Sequence, residues 1–175
     1  DSGTLITVNS PSENSSKGAL HTFRLIGTTW TWVRRTEPTN AASYDGSYWD
    51  MSGDGKTCVV TASGHDITTV GNEGSAWIYR NKLTTSSNGY QPDWVLESSI
   101  TPTDIVSSDR YGVARGISQD GNTVAVSSEV HTHVDDTSTN KGVVYIWRRE
   151  TTPAAPNSAP VITWVQEAKI FCPEG

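Results

Sequence analysis

One short string occurs three times. Gly18-Ala19-Leu20-His21-Thr22-Phe23-Arg24 lines up with Gly74-Ser75-Ala76-Trp77-Ile78-Tyr79-Arg80, and both line up with Gly142-Val143-Val144-Tyr145-Ile146-Trp147-Arg148. The shared pattern is Gly, four residues, an aromatic, then Arg. After each copy comes a polar stretch and a Trp-centred segment: Trp30-Thr31-Trp32-Val33, Asp93-Trp94-Val95-Leu96 and Thr163-Trp164-Val165-Gln166. A repeat of this kind restricts the chain to architectures built from similar units stacked on one another.

Each copy is preceded by a turn and a β-branched run. Ser52-Gly53-Asp54-Gly55-Lys56-Thr57 leads into Cys58-Val59-Val60, and Ser118-Gln119-Asp120-Gly121-Asn122-Thr123 leads into Val124-Ala125-Val126. Asp1-Ser2-Gly3-Thr4 stands ahead of Leu5-Ile6-Thr7-Val8 in the same way. Asp-Gly between strand-like runs signals a hairpin, because both residues tolerate positive φ. A further strand-like segment opens two of the units, at Tyr48-Trp49-Asp50-Met51 and Val113-Ala114-Arg115-Gly116-Ile117. No stretch has helical periodicity. The expectation is an all-β chain of four-stranded antiparallel meanders with strands A to D, the pattern of propeller blades. The expected units span residues 1–43, 44–109 and 110–175, all within one propeller segment. The first lacks its inner strand A.

Composition excludes several alternatives. The formal net charge is −6, which argues against a nucleic-acid partner, because phosphate binding needs a basic surface. No apolar run approaches the roughly 18 residues of a membrane helix, and no signal peptide is evident. Ser and Thr make up about a quarter of the residues, in keeping with strands and turns. Met51 is the only Met, so a processed product or a piece of a longer chain is expected. Cys58 and Cys172 can form at most one bridge and make no metal set.

The units resemble the FG-GAP repeats of integrin-α-type β-propellers. In that family an aromatic-Gly pair opens strand A, an Asp-Gly turn leads to strand B, a Gly opens strand C and a Trp marks strand D. Here Tyr111-Gly112, Asp120-Gly121, Gly142 and Trp164 stand in those places. Asp54-Gly55, Gly74 and Trp94 repeat the last three, and Gly18 and Trp32 match in the first unit. The Gly-Ala-Pro that follows strand B in the family is replaced by Asn9-Ser10-Pro11, Thr61-Ala62-Ser63 and Ser127-Ser128-Glu129. The resemblance implies calcium in the B–C loops. Only the third of these loops offers a cluster, with Asp135, Asp136 and Asn140. No cofactor is expected otherwise.

His131-Thr132-His133 next to Asp135 is the other ligand-like set, because alternate side chains of an extended segment share a side and His with Asp suits zinc. A solvated polar loop is the ordinary alternative. Trp32, Trp94 and Trp164 are expected to pack between units, while any exposed Trp could stack on a sugar ring. Asn14-Ser15-Ser16 is an N-glycosylation sequon. The Ser-x-Asp-Gly-x-Thr turns resemble the Asp boxes of sialidases, one residue shorter and without the Trp. Such boxes are structural, and sialidase chemistry would need clustered Arg residues plus a Tyr with an acidic partner.

The function expected is non-enzymatic: a surface or extracellular structural or adhesion module presenting variable loops on a propeller. A carbohydrate-binding lectin using exposed Trp is the alternative, and a propeller-fold glycan hydrolase a third. Expected partners are other blades of the same longer chain or neighbouring chains that complete a ring, and glycans.

Overall fold

A computed structural model describes residues 4–38, 48–67, 71–86, 89–131, 142–154 and 158–171. These form eleven strands and one single-turn helix in three antiparallel sheets. Sheet I is β1 (Leu5–Ser10), β2 (Ala19–Ile26) and β3 (Thr29–Thr36), with α1 (Glu13–Ser16) between the first two. Sheet II is β4 (Tyr48–Met51), β5 (Thr57–Ala62), β6 (Ser75–Ser86) and β7 (Gly89–Ser99). Sheet III is β8 (Arg115–Ile117), β9 (Thr123–Ser128), β10 (Val143–Thr152) and β11 (Val161–Phe171). Within each sheet the strands pair in chain order. The expected meander is therefore observed, with β4 where strand A was expected and β8 beginning two residues late.

The Asp-Gly turns are built alike. The Ser52 hydroxyl donates to the Asp54 carboxylate at 2.6 Å, and Ser118 does the same to Asp120 at 2.6 Å. Each hydroxyl oxygen also accepts the N–H that starts the next strand, Thr57 or Thr123, at 3.0 Å. The two turns also touch: the Asp54 N–H donates to the Gln119 carbonyl at 3.0 Å. Gly121 (φ +69°) faces Thr57, whose Oγ1 would lie 2.3 Å from an added Cβ.

The three sheets share one irregularity. In each, the ladder between strands C and D breaks at the same step: Thr22/Phe23, Ile78/Tyr79 and Ile146/Trp147. The break leaves one outer-strand residue without an opposite, namely Val33, Glu97 and Glu167. Beyond it Leu25 pairs with Trp30, Asn81 with Trp94 and Arg149 with Trp164. By this register the counterpart of Trp94 and Trp164 is Trp30. The sequence alignment placed Trp32 there, because it matched the Trp-Val pairs; the ladder sets the match two residues earlier.

Packing follows the same rule twice. Leu20 on sheet I joins a cluster with Cys58, Val60, Trp77, Tyr79 and Trp94 on sheet II. Val59, Ala76 and Ile78 on the opposite face of sheet II join Val124, Val126, Tyr145, Trp147 and Trp164 on sheet III. Sheet II is covered on both faces, so every residue of β5 is buried. In β9 burial alternates with the pleat, because only one face of sheet III is covered. Trp94 and Trp164 are 4% and 9% exposed, but Trp30 and Trp32 are 42% and 54% exposed. The expectation that Trp32 packs between units is thus corrected. It lies on a face of sheet I that no described sheet covers.

The Tyr111-Gly112 pair locks sheets II and III together. The Tyr111 N–H donates to the Glu73 carbonyl at 2.9 Å, and the Gly112 N–H to the Ser127 carbonyl at 2.8 Å. Gly74 (φ +81°) passes so close that a Cβ there would sit 2.0 Å from the Tyr111 carbonyl oxygen. This crossing, together with the positive φ, accounts for the Gly that opens strand C in the second unit.

Candidate functional site

The open face of sheet I carries two exposed indoles. It presents Ile6, Val8, Trp30 and Trp32, all more than 40% exposed. The ladders make Ile6 and Val8 the counterparts of Cys58 and Val60 on sheet II and of Val124 and Val126 on sheet III. Those four counterparts are fully buried. Sheet I therefore repeats, in the open, a surface that the other sheets bury.

A charged chain borders these indoles. The Trp32 indole N–H donates to His21 Nδ1 at 3.2 Å, and His21 Nε2 lies 2.8 Å from the Glu13 carboxylate. Arg35 bonds both Glu13 and Glu37. The His21 hydrogen bond, then Arg35, holds the Glu13 carboxyl down at about 2. α1 puts Glu13 there by a tight turn in which Asn14 and Ser15 are left-handed, at φ 54° and 57°. Asn tolerates that conformation better than most residues. The Asn14 side chain is exposed, as a glycosylation acceptor requires. Indoles beside ionic groups can stack on a sugar ring or receive another sheet.

The inner edges of sheets II and III hold a second group. The Arg115 guanidinium lies 5.0 Å from the centre of the Tyr48 ring, with Nη1 3.4 Å from Thr61 Oγ1. Its Nε is buried without a hydrogen-bond partner. Burial pulls the guanidinium below its ordinary pKa, against the pull of the Asp50 charge. Arg115 and Tyr48 thus meet here within the field of the Asp50 charge.

His131, read as a candidate loop ligand for metal, is held within the protein. It is 3% exposed, with Nδ1 2.7 Å from Asp109 Oδ2 and Nε2 2.8 Å from Lys169 Nζ. An ammonium only donates, so Nε2 accepts and the ring proton points from Nδ1 to Asp109. Lys169 also pairs with Asp104, which accepts the Tyr145 hydroxyl proton at 3.0 Å. Both ring nitrogens are engaged within the protein. His133, Asp135, Asp136 and Asn140 lie outside the described residues, as does Cys172. Among the described residues, no three His, Cys, Asp or Glu side chains gather as a metal site. No described helix is long and apolar enough to cross a membrane.

Asp54 and Asp120 serve their turns, as the hydrogen bonds above require. Sequence reasoning missed Glu97. Its carboxylate takes both arms of Arg149 at 2.9 Å and the Trp164 indole N–H at 3.0 Å, joining sheets II and III. Burial would raise its pKa, but Arg149 and Trp164 together hold it below the ordinary value. A signal was present: Trp94-Val95-Leu96-Glu97 matches Trp164-Val165-Gln166-Glu167.

No family model matches the chain, and no curated protein matches it.

Proposed function

We propose that the chain is a run of β-propeller blades working without catalysis, as a structural or adhesive module at the cell surface or outside the cell. The observation that carries this reading is the repeated stacking. Three successive sheets share one bulged register, and two successive interfaces use equivalent faces. Radial repetition of small meanders is how propellers are built. The connections vary in length while the strand order and the bulge recur. Residues 11–18, 63–74 and 129–142 link strands B and C, and residues 27–28, 87–88 and 153–160 link strands C and D. A rigid framework with variable loops binds through those loops. The exposed sequon at Asn14 and the acidic, Ser/Thr-rich composition support an extracellular setting. The partners are other blades of the same polypeptide or neighbouring chains.

A lectin is the second reading, favoured by the two exposed indoles on one face of sheet I. The test is a binding screen of the purified chain on cells and on a glycan panel, with two variants. Replacing residues 132–141 by a Gly-Ser linker should abolish cell binding with thermal unfolding unchanged. If that replacement leaves binding intact while Trp30→Ala and Trp32→Ala remove glycan binding, the lectin reading replaces the loop-presenting one.

A further inference from the structure

We propose that the chain associates head to tail with a second copy of itself. The open face of sheet III in one copy docks on the open face of sheet I in the next, and the Trp30 indole meets the Glu167 carboxylate. This rests on the stacked-blade reading above and names the partner it implies.

The internal interface between sheets II and III supplies the pattern. On sheet II the bulge residue Glu97 lies beside Arg80 of its own sheet, at 3.8 Å. Into this Arg–Glu pair sheet III inserts Trp164, whose indole N–H reaches Glu97 at 3.0 Å. Sheet III repeats the receiving pair at equivalent positions. Glu167 is its bulge residue, and Arg148 of the same sheet lies 3.4 Å away. Both side chains are exposed, at 43% and 54%. Sheet I repeats the inserted group, because Trp30 holds the ladder position of Trp164. Apolar surface accompanies each half: Ile6 and Val8 beside Trp30, Val165 and Ile170 on sheet III, all more than 40% exposed. Placing sheet I of the next copy on sheet III as sheet III lies on sheet II brings donor to acceptor and apolar face to apolar face.

The new contact is the weaker one. Leu25 of sheet I stands where Arg149 stands on sheet III, so the two guanidinium bonds to the carboxylate have no counterpart. The association is therefore reversible. Such a contact is heterologous and can close into a ring. The described residues of two copies hold six sheets, and propellers close with roughly four to eight blades.

The test is sedimentation velocity of the full chain over a wide concentration range. The expected result is a reversible shift from monomer to dimer. Trp30→Ala and Glu167→Ala alter exposed side chains, so each should keep the near-ultraviolet circular dichroism of the parent. Each should weaken association at least tenfold. Mixed together they should form a one-to-one complex that grows no further, because each variant keeps one sound face. A chain that stays monomeric throughout, or variants that associate like the parent, would overturn the proposal. A monomer whose Trp94 and Trp164 indole protons exchange slowly would overturn self-assembly alone. Rapid exchange of those protons would remove the stacking on which it rests.

Discussion

The Trp147 indole N–H donates to the Tyr111 hydroxyl oxygen at 2.9 Å, and that hydroxyl donates in turn to the Ile100 carbonyl at 2.9 Å. The relay joins strand C of sheet III to the residue that opens the third unit and to the end of the second. Both side chains are buried, so neither polar group can turn to water when its partner is removed. Trp147→Ala should cost about 3 to 5 kcal/mol, as for other buried large-to-small changes. Tyr111→Phe keeps the ring and removes only the relay. It leaves an N–H and a carbonyl unpaired, and should cost about 1 to 3 kcal/mol. Urea denaturation of the two single variants and the double variant should give a sum larger than the double-variant effect, since both remove the same bond.

Two glycines with left-handed backbones should respond differently. Gly27 (φ +63°) has open space where a Cβ would go, whereas Gly74 (φ +81°) is pressed against the Tyr111 backbone. Gly27→Ala should cost about 1 kcal/mol, the price of the left-handed conformation alone. Gly74→Ala must also move backbone and should cost roughly 3 kcal/mol or more. Equal losses in thermal unfolding would contradict the close crossing.

Much of this fold can be read from the residues. The Asp-Gly turns mark where hairpins turn, and Gly74 marks where sheets II and III cross. They do so through local backbone demands that are visible in single residues. The β-bulge is different. It inserts one residue opposite a ladder break, and only pairing reveals it, as only pairing tells that Trp30 and not Trp32 holds the shared position. The setting of His131 was hidden for a related reason. Its partners Asp109 and Lys169 lie 22 and 38 residues away, and a His in a polar run gives no sign of such partners. Arg115 and Tyr48 meet only because the inner strands of two units lie side by side. Their separation in sequence hid this pair.

Acid should loosen the structure in a defined window. Glu97 has its pKa depressed below the ordinary 4.5. Asp120 is brought from 3.8 to about 2 by the Ser118 hydroxyl, then Asn122, and Glu13 is likewise at about 2. A depressed carboxylate contributes stability in full above its unfolded value, and the contribution is lost as pH falls through the folded value. The unfolding midpoint should hold from neutrality to about pH 5 and fall between 4.5 and 2. Glu97→Gln cannot titrate and should show a shallower fall. An identical acid profile would separate the Glu97 charge from the stability of the sheet II–III interface.

Cys58 should be inert while the chain is folded. It is fully buried between sheets I and II, and burial pushes its thiol well above the ordinary value. In a Cys172→Ser background, a thiol reagent at pH 8 should label the chain only at the rate of unfolding. Fast labelling in native buffer would mean that the first two sheets part readily.

The stacking itself is read most directly by hydrogen exchange at the indole N–H groups. Trp94 donates across the first interface to Thr22 at 3.2 Å, and Trp164 across the second to Glu97 at 3.0 Å. Trp30, their counterpart on sheet I, lies open at 42% exposure. At a concentration where the chain is monomeric, the Trp94 and Trp164 protons should exchange orders of magnitude more slowly than that of Trp30. Equal rates at the three positions would contradict the account, because sheets I, II and III would then not be stacked face to face in chain order.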